Sequence, residues 1–150
     1  MQKIEYKVGN LLDVESGVIV HGCNTKGVMG SGVAKAIKEK YPIVYAKYRE
    51  HCADFINPSA LLGDYILVPV KPDLAIANAF TQIGYGKGKR QVNYGAIADC
   101  FFDILYGTDY RDFHIPKIGA GLAGGDWGVI SEIIEYVTPR GTKVTCWTLE

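Results

Sequence analysis

Two segments of the chain concentrate residues able to hold an anion: His21-Gly-Cys-Asn-Thr-Lys-Gly-Val-Met-Gly-Ser-Gly32 and Ile118-Gly-Ala-Gly-Leu-Ala-Gly-Gly-Asp126. Glycine lets backbone N–H groups approach an anion closely, and a helix that starts behind the turn adds unpaired amides and the positive end of its dipole. Two such turns together suit a diphosphate. Taken singly, either set of glycines could serve only as a tight turn or as close helix–sheet packing. Gly27 and Gly32 have the glycine spacing of a P-loop, but Val33 and Ala34 stand where its lysine–hydroxyl pair belongs, which argues against a nucleotide triphosphatase. Gly119, Gly121 and Gly124 fit G-x-G-x-x-G, yet too little chain follows for the second half of a dinucleotide fold.

The elements that must position these turns are legible from periodicity. Ile4, Tyr6 and Val8 alternate with polar residues as in an edge or half-buried strand, whereas Gly17 to His21 is a continuous apolar run typical of a central strand. Val33, Ala36, Ile37 and Tyr41 recur at helical spacing, with Ser31 placed to cap that helix; Pro42 interrupts the pattern, and a second helix is expected over about 44–55. Residues 64–70 and 74–80 read as strands joined by a turn at Lys71-Pro-Asp73, a hairpin. A loop of glycines and lysines, 84–90, leads into a helix burying Tyr94, Ile97, Phe101 and Ile104; a strand over 114–118, a helix over 127–137 and a strand over 143–149 follow. Strands alternating with amphipathic helices predict an α/β sandwich, and the hairpin makes its sheet mixed. Ligands of such sheets sit beyond the carboxyl ends of the strands, where both glycine-rich turns fall.

Taken in order, the motifs resemble the macrodomain family. The run from His21 to Ala34 followed by Tyr41-Pro42 and Tyr45 looks like its first ligand loop, and Val8-Gly-Asn-Leu-Leu12, Ile115-Pro-Lys-Ile-Gly-Ala-Gly-Leu122 with Asp126-Trp127, and Thr145-Cys-Trp-Thr-Leu149 occur in the same order as in that family. The similarity spans nearly the whole chain and is greatest to the branch of ADP-ribose 1″-phosphate phosphatases and terminal ADP-ribose protein glycohydrolases. It implies a single macrodomain over 1–150, three-layered α/β/α with a mixed six-stranded sheet. It also implies ligand roles: Asn10 at the adenine amine with the Leu11 backbone beside it, Asn24 at the distal ribose, and the diphosphate between Gly30, Ser31, Gly32 and Val33 on one side and Gly119, Ala120, Gly121 and Leu122 on the other.

Bland readings stand beside these roles. Gly9-Asn10 is a common turn pair, and Asn24 could simply brace its loop. His21 is the candidate acid or base, with Asn24 orienting the ribose, because it ends a central strand beside Asn24 and an ordinary imidazole titrates near neutrality; the alternative is a hydrogen-bonded core histidine. Asp126 before Trp127 is either a helix cap or a catalytic carboxylate. One departure from the resemblance concerns the glycohydrolases, which use a lysine in the loop before the helix that begins near Tyr94 and an acidic residue in the second glycine loop. Here Gln91 falls near the lysine position, with Lys89 and Arg90 adjacent, and Ala123 stands in place of the acid. Lys87, Lys89 and Arg90 are instead candidates to attract a terminal phosphate or to form a solvated loop.

Sixteen basic and sixteen acidic residues balance, giving no broad field for nonspecific attraction to nucleic acid or anionic lipid. Cys23, Cys52, Cys100 and Cys146 lie far apart with no C-x-x-C pair, as expected of reduced, mostly buried thiols. Charges near the N-terminus and the lack of an apolar run of roughly 20 residues predict a cytoplasmic protein with no membrane span. The expected function is hydrolysis of an ADP-ribose derivative, foremost ADP-ribose 1″-phosphate, by a monomer needing no metal or cofactor. A noncatalytic ADP-ribose-binding module, or a hydrolase removing ADP-ribose from protein or nucleic acid, is the alternative.

Overall fold

The computed structural model describes residues 2–150; Met1, included in the expected 1–150 domain, lies outside them. The strands are β1 (Glu5–Val8), β2 (Gly17–Asn24), β3 (Tyr65–Lys71), β4 (Leu74–Gln82), β5 (Asp112–Ile115) and β6 (Lys143–Thr148). The helices are α1 (Gly32–Lys40), α2 (Pro42–Ala53), α3 (Tyr94–Gly107) and α4 (Trp127–Val137), with short 3-10 turns at Leu11–Asp13 and Pro58–Leu61. They build one six-stranded sheet in the order β1-β6-β5-β2-β4-β3, in which only the β3–β4 pairing is antiparallel. The hairpin expected from Lys71-Pro-Asp73 therefore makes the sheet mixed.

Alternation along the central strands feeds two cores, because successive side chains point to opposite faces. Val18 and Val20 of β2, with Ala77 and Ala79 of β4, face Ile97, Phe101 and Ile104 of α3 and Ile130 and Ile134 of α4. Ile19 and Ile76 face the other way, against Ile37 and Val44, while Cys23 and Phe80 pack on Tyr48 and Cys52. Helices thus cover both faces, giving the three layers expected. All four cysteines are buried and free. No described helix is long and apolar enough to cross a membrane.

Element boundaries differ from the sequence expectation most clearly at the fifth strand, α2 and β2. The fifth strand occupies Asp112–Ile115 rather than 114–118, because Pro116 has no N–H to continue the ladder and its carbonyl instead accepts from Ile118 N at 2.7 Å. α2 starts two residues earlier than expected, with Pro42 in its first turn, where the missing N–H costs nothing, and it stops before Phe55. β2 continues beyond His21 to Asn24, alongside β4 to Gln82, with a register shift between Cys23 and Asn24. The opening of the first glycine segment is therefore strand, not turn. Gly22 permits this, since a Cβ there would sit 2.7 Å from Thr81 Oγ1.

Phe101 is fully buried between α3 and the sheet. Phe101→Ala should lower stability by about 3–5 kcal/mol, as truncation of a core aromatic does; urea unfolding followed by circular dichroism measures it, and a loss below about 1 kcal/mol would contradict this packing.

Candidate functional site

β2 and β5 are neighbouring parallel strands whose chains leave in different directions. From β2 the chain runs through α1 and α2 toward β3 and β4 on one side of the sheet; from β5 it runs through α4 to β6 on the other. A crevice opens where such connections diverge. Here it is a cleft of about 650 Å³ lying between the two glycine loops, within the size range of small-molecule sites. Of the residues singled out from sequence, His21, Asn24, Gly30, Ser31, Gly32, Val33, Gly119, Gly121 and Leu122 line it. Ala120 does not, and neither do Asn10 and Leu11. The Asn10 side chain accepts from Leu12 N at 2.9 Å and caps the first 3-10 turn, while Leu11 is buried in the α1–α2 core.

The first wall ends at the N-terminus of α1. Ser31 occupies the cap position but makes no side-chain cap hydrogen bond, so the amides of the first turn have no capping group of their own where Gly32, Val33 and Ala34 line the cleft. The N-termini of α3 and α4 are different. Asn93 Oδ1 accepts from Ala96 N at 2.9 Å, and Asp126 Oδ1 accepts from Gly128 N and Val129 N at 2.8 and 3.4 Å. Asp126 has the geometry of the helix cap that the sequence allowed.

Asn24 braces the first loop from within. Its Oδ1 accepts from Lys26 N at 2.9 Å and from the Tyr48 hydroxyl at 2.8 Å, and its Nδ2 donates to Val28 O at 2.8 Å. An amide nitrogen carries two protons, so one remains for a ligand. Tyr48, a buried residue of α2 whose single hydroxyl proton is shared between Asn24 Oδ1 and Asn24 O, each at 2.8 Å, was not identified from sequence. It falls within the helix expected over about 44–55, and nothing in that stretch of sequence shows that its hydroxyl ends under the loop.

His21 forms part of the cleft floor and is 1% exposed. It lies opposite Asn78 in the β2–β4 register, and Nε2 is 2.5 Å from Asn78 Oδ1. Asn78 Nδ2 donates to Val44 O at 3.5 Å, which makes Oδ1 the acceptor and His21 Nε2 the donor, leaving Nδ1 with the lone pair. Burial pushes the imidazole down to about 4, against the upward pull of the bond to Asn78. The near-neutral titration that recommended His21 as an acid or base is absent in this setting. Its geometry is that of the hydrogen-bonded core histidine weighed beside that role.

The remaining wall is the segment between β4 and α3. Of its basic residues only Lys87 lines the cleft; the Arg90 guanidinium lies 4.4 Å from the Tyr94 ring centroid, and the Lys89 and Arg90 backbone packs against Gly124. Gln91 N and Val92 N both donate to Ala123 O, at 2.7 and 3.2 Å. The two positions compared with the glycohydrolase lysine and acid are thus brought together, but as a neutral backbone contact. Gln82, Tyr85 and Lys117 also line the cleft and were missed: Gln82 and Tyr85 fall in no motif or period, and Lys117 stands inside the Ile115–Leu122 motif, where only the residues from Gly119 onward were given roles. Among the described residues no carboxylate lines it, while Lys87 and Lys117 do.

The state of His21 has a pH signature. Its folded-state value lies below the ordinary 6.5, so the unfolded chain takes up the proton first. The stability this contributes is complete above about pH 6.5 and is lost as pH falls toward 4, amounting to about 3 kcal/mol. His21→Gln keeps a donor for Asn78 but does not titrate. Urea midpoints from pH 7 to 4 should fall more steeply for the wild type than for this variant; His114, also pushed down by burial, is present in both and cancels. Parallel curves would show that His21 is not held neutral.

Comparison with known proteins agrees with this architecture. The Macro domain profile matches residues 20–134. An ADP-ribose 1″-phosphate phosphatase from Meyerozyma guilliermondii is 30% identical over 137 residues, covering 82% of this chain and 73% of that protein. One from Saccharomyces cerevisiae is 29% identical over 167 residues, covering 90% and 93%. Among solved structures, a Bacteroides thetaiotaomicron protein of unknown function superposes with a TM-score of 0.87 at 29% identity, covering 97% of this chain and 98% of that one. A macrodomain protein from Streptomyces coelicolor gives 0.79 at 29%, covering 97% and 99%. Thermosipho africanus DarTG in complex with ADP-ribose shares the fold at 16% identity, with a TM-score of 0.79 over 98% of this chain and 42% of that one. With the profile spanning most of the chain and the sheet and helices superposing on solved macrodomain structures, this chain belongs to the Macro domain family.

Proposed function

We propose that this macrodomain binds ADP-ribose along the cleft and hydrolyses ADP-ribose 1″-phosphate to ADP-ribose and inorganic phosphate. The observation that carries the reading is the cleft itself, walled by both glycine loops, bounded by an α1 N-terminus without a side-chain cap, and bearing lysines but no carboxylate among the described residues. Such a wall offers backbone amides and positive charge to a polyanion. The phosphatase relatives from Meyerozyma guilliermondii and Saccharomyces cerevisiae supply the substrate.

In this reading the diphosphate lies between Gly30–Val33 and Gly119–Leu122, and the free Nδ2 proton of Asn24 meets the distal ribose. Asn10 and the Leu11 backbone take the adenine end from beyond the cleft proper. Water attacks the phosphorus of the 1″-phosphate, the bond to ribose O1″ breaks, and O1″ leaves with the proton given up by the attacking water, the other water proton staying on the phosphate. His21 Nδ1 is the candidate to take that proton from the water and pass it to O1″. A site of the chain in the cytoplasm as a monomer fits the reading without being required by it.

A second reading, a binding module without turnover, is favoured by one observation: the only imidazole lining the cleft among the described residues is buried and held neutral down to about pH 4. Calorimetry with ADP-ribose, AMP and NAD, beside single-turnover phosphate release from ADP-ribose 1″-phosphate, separates the two. The hydrolase reading expects ADP-ribose to bind more tightly than AMP or NAD, and His21→Ala to reduce turnover by roughly 10²–10⁴-fold while keeping much of the ADP-ribose affinity. Tight ADP-ribose binding with no phosphate release would establish the module instead.

Glycine substitutions test the diphosphate wall. At Gly121 the backbone φ is not positive and a Cβ meets nothing within 4 Å, so alanine fits the fold and protrudes where ligand would lie. Gly121→Ala should leave the melting temperature unchanged and weaken ADP-ribose roughly tenfold, ~1.4 kcal/mol. Gly32 has φ +59°, where an L-residue costs about 1–2 kcal/mol, so Gly32→Ala should lower stability as well. Unchanged ADP-ribose affinity in a folded Gly121→Ala protein would remove the second loop from the site.

A further inference from the structure

The segment between Gln82 and Val92 ties the two glycine loops to each other. At its start, Ile83 O accepts from Thr25 N at 3.2 Å and from Thr25 Oγ1 at 3.3 Å, just past Asn24. At its end, Ala123 O accepts from Gln91 N and Val92 N, and Val92 bridges back to Gln82. Two side chains stiffen its base: Gln82 Nε2 donates to Gly84 O at 2.8 Å, and Gln91 Nε2 to Tyr85 O at 3.5 Å. Its tip, Tyr85-Gly86-Lys87, lines the cleft.

The tip is unusual for a surface loop. Tyr85 is 56% exposed with a glycine on either side, yet it borders the cleft rather than bulk surface alone. Gly86 has φ +109° with nothing within 4 Å of where a Cβ would be, so this residue of the tip packs against nothing. Lys87 makes no ion pair among the described residues. An exposed tyrosine alone needs no explanation. Here a large aromatic and an unpaired cation hang together from a strap with firmly bonded ends.

The strap also stands at a defined end of the cleft. Asn24 pairs with Gln82 in the β2–β4 register, so the strap rises beside Asn24. Asn10 follows β1, which is separated from β2 by β6 and β5. If ADP-ribose lies as proposed above, on which this inference rests, the strap borders the distal ribose, where a substituent on that sugar leaves the cleft.

We propose that the strap is a selectivity gate, in which Tyr85 restricts the group carried on the distal ribose to a small one and Lys87 favours an anionic one. The full chain is compared with Tyr85→Ala, Tyr85→Phe, Lys87→Met and Lys87→Arg, using ADP-ribose, ADP-ribose 1″-phosphate and an ADP-ribosylated peptide as probes. Affinity is read by calorimetry, or as KM where phosphate is released. Tyr85→Ala should raise the preference for the peptide relative to ADP-ribose 1″-phosphate roughly tenfold, with Tyr85→Phe like the wild type, since ring bulk is the barrier. Lys87→Met should lower the preference for ADP-ribose 1″-phosphate over ADP-ribose roughly tenfold, with Lys87→Arg restoring it, as loss of a charge-assisted contact predicts. Ratios unchanged in both Tyr85→Ala and Lys87→Met, in a wild type that binds ADP-ribose, would overturn the gate alone. A wild type that does not bind ADP-ribose would overturn the cleft reading and the gate with it.

Discussion

The site depends on one topological constraint: β2 and β5 are adjacent and parallel, but the chain leaves them toward opposite sides of the sheet. Nothing can pack directly over the point where the connections part, so a crevice stays open at the strand ends. Each exit must turn sharply enough to start a helix or loop without filling that crevice. Glycine serves this at both exits for different reasons. Gly32 needs the conformation, while Gly125 needs the space, since a Cβ there would lie 2.6 Å from Gly119 O.

Beneath the opening, buried polar groups keep the walls in shape. His21 and Asn78 face each other across the strand pair, and Asn24 with Tyr48 ties the first loop to α2. Desolvating such groups costs about 1–3 kcal/mol each if they are left unpaired, so a displaced loop would orphan Asn24 and Tyr48 together. The loop geometry is therefore coupled to the α1–α2 layer, not set by the glycines alone.

The fold was largely legible because its strands and helices carry undiluted periodicities. The buried run at 17–21, the helical spacing from Tyr94 to Ile104 and the hairpin turn each name one element, and together they require a mixed sheet. What failed were boundaries governed by pairing partners. β2 runs on through Gly22 because β4 is alongside, and local sequence contains no record of that neighbour. The candidate site was legible where backbone forms it, as with Gly30–Val33, Gly119 and Gly121, which line the cleft. It was less so where side chains do, because the state of an imidazole depends on what surrounds it. His21 was marked by its place at a strand end; its burial and its bond to Asn78 come from a residue 57 positions away.

This division has a consequence for chemistry. The groups positioned to hold a polyanion are backbone amides and the lysines at 87 and 117, whereas the titratable groups of the floor, His21 and Cys23, are both held neutral by burial. Binding and proton transfer thus draw on different parts of the cleft and respond to different changes. Under the proposed function, anion binding depends on the shape of the two loops rather than on the charge at position 21. Turnover, in that proposal, requires in addition that a ligand bring a reacting oxygen to the lone pair of His21 Nδ1 and the remaining amide proton of Asn24. A cleft built this way can retain its ligand while gaining or losing an activity, which is why the fold alone decides what is bound more firmly than what is done to it.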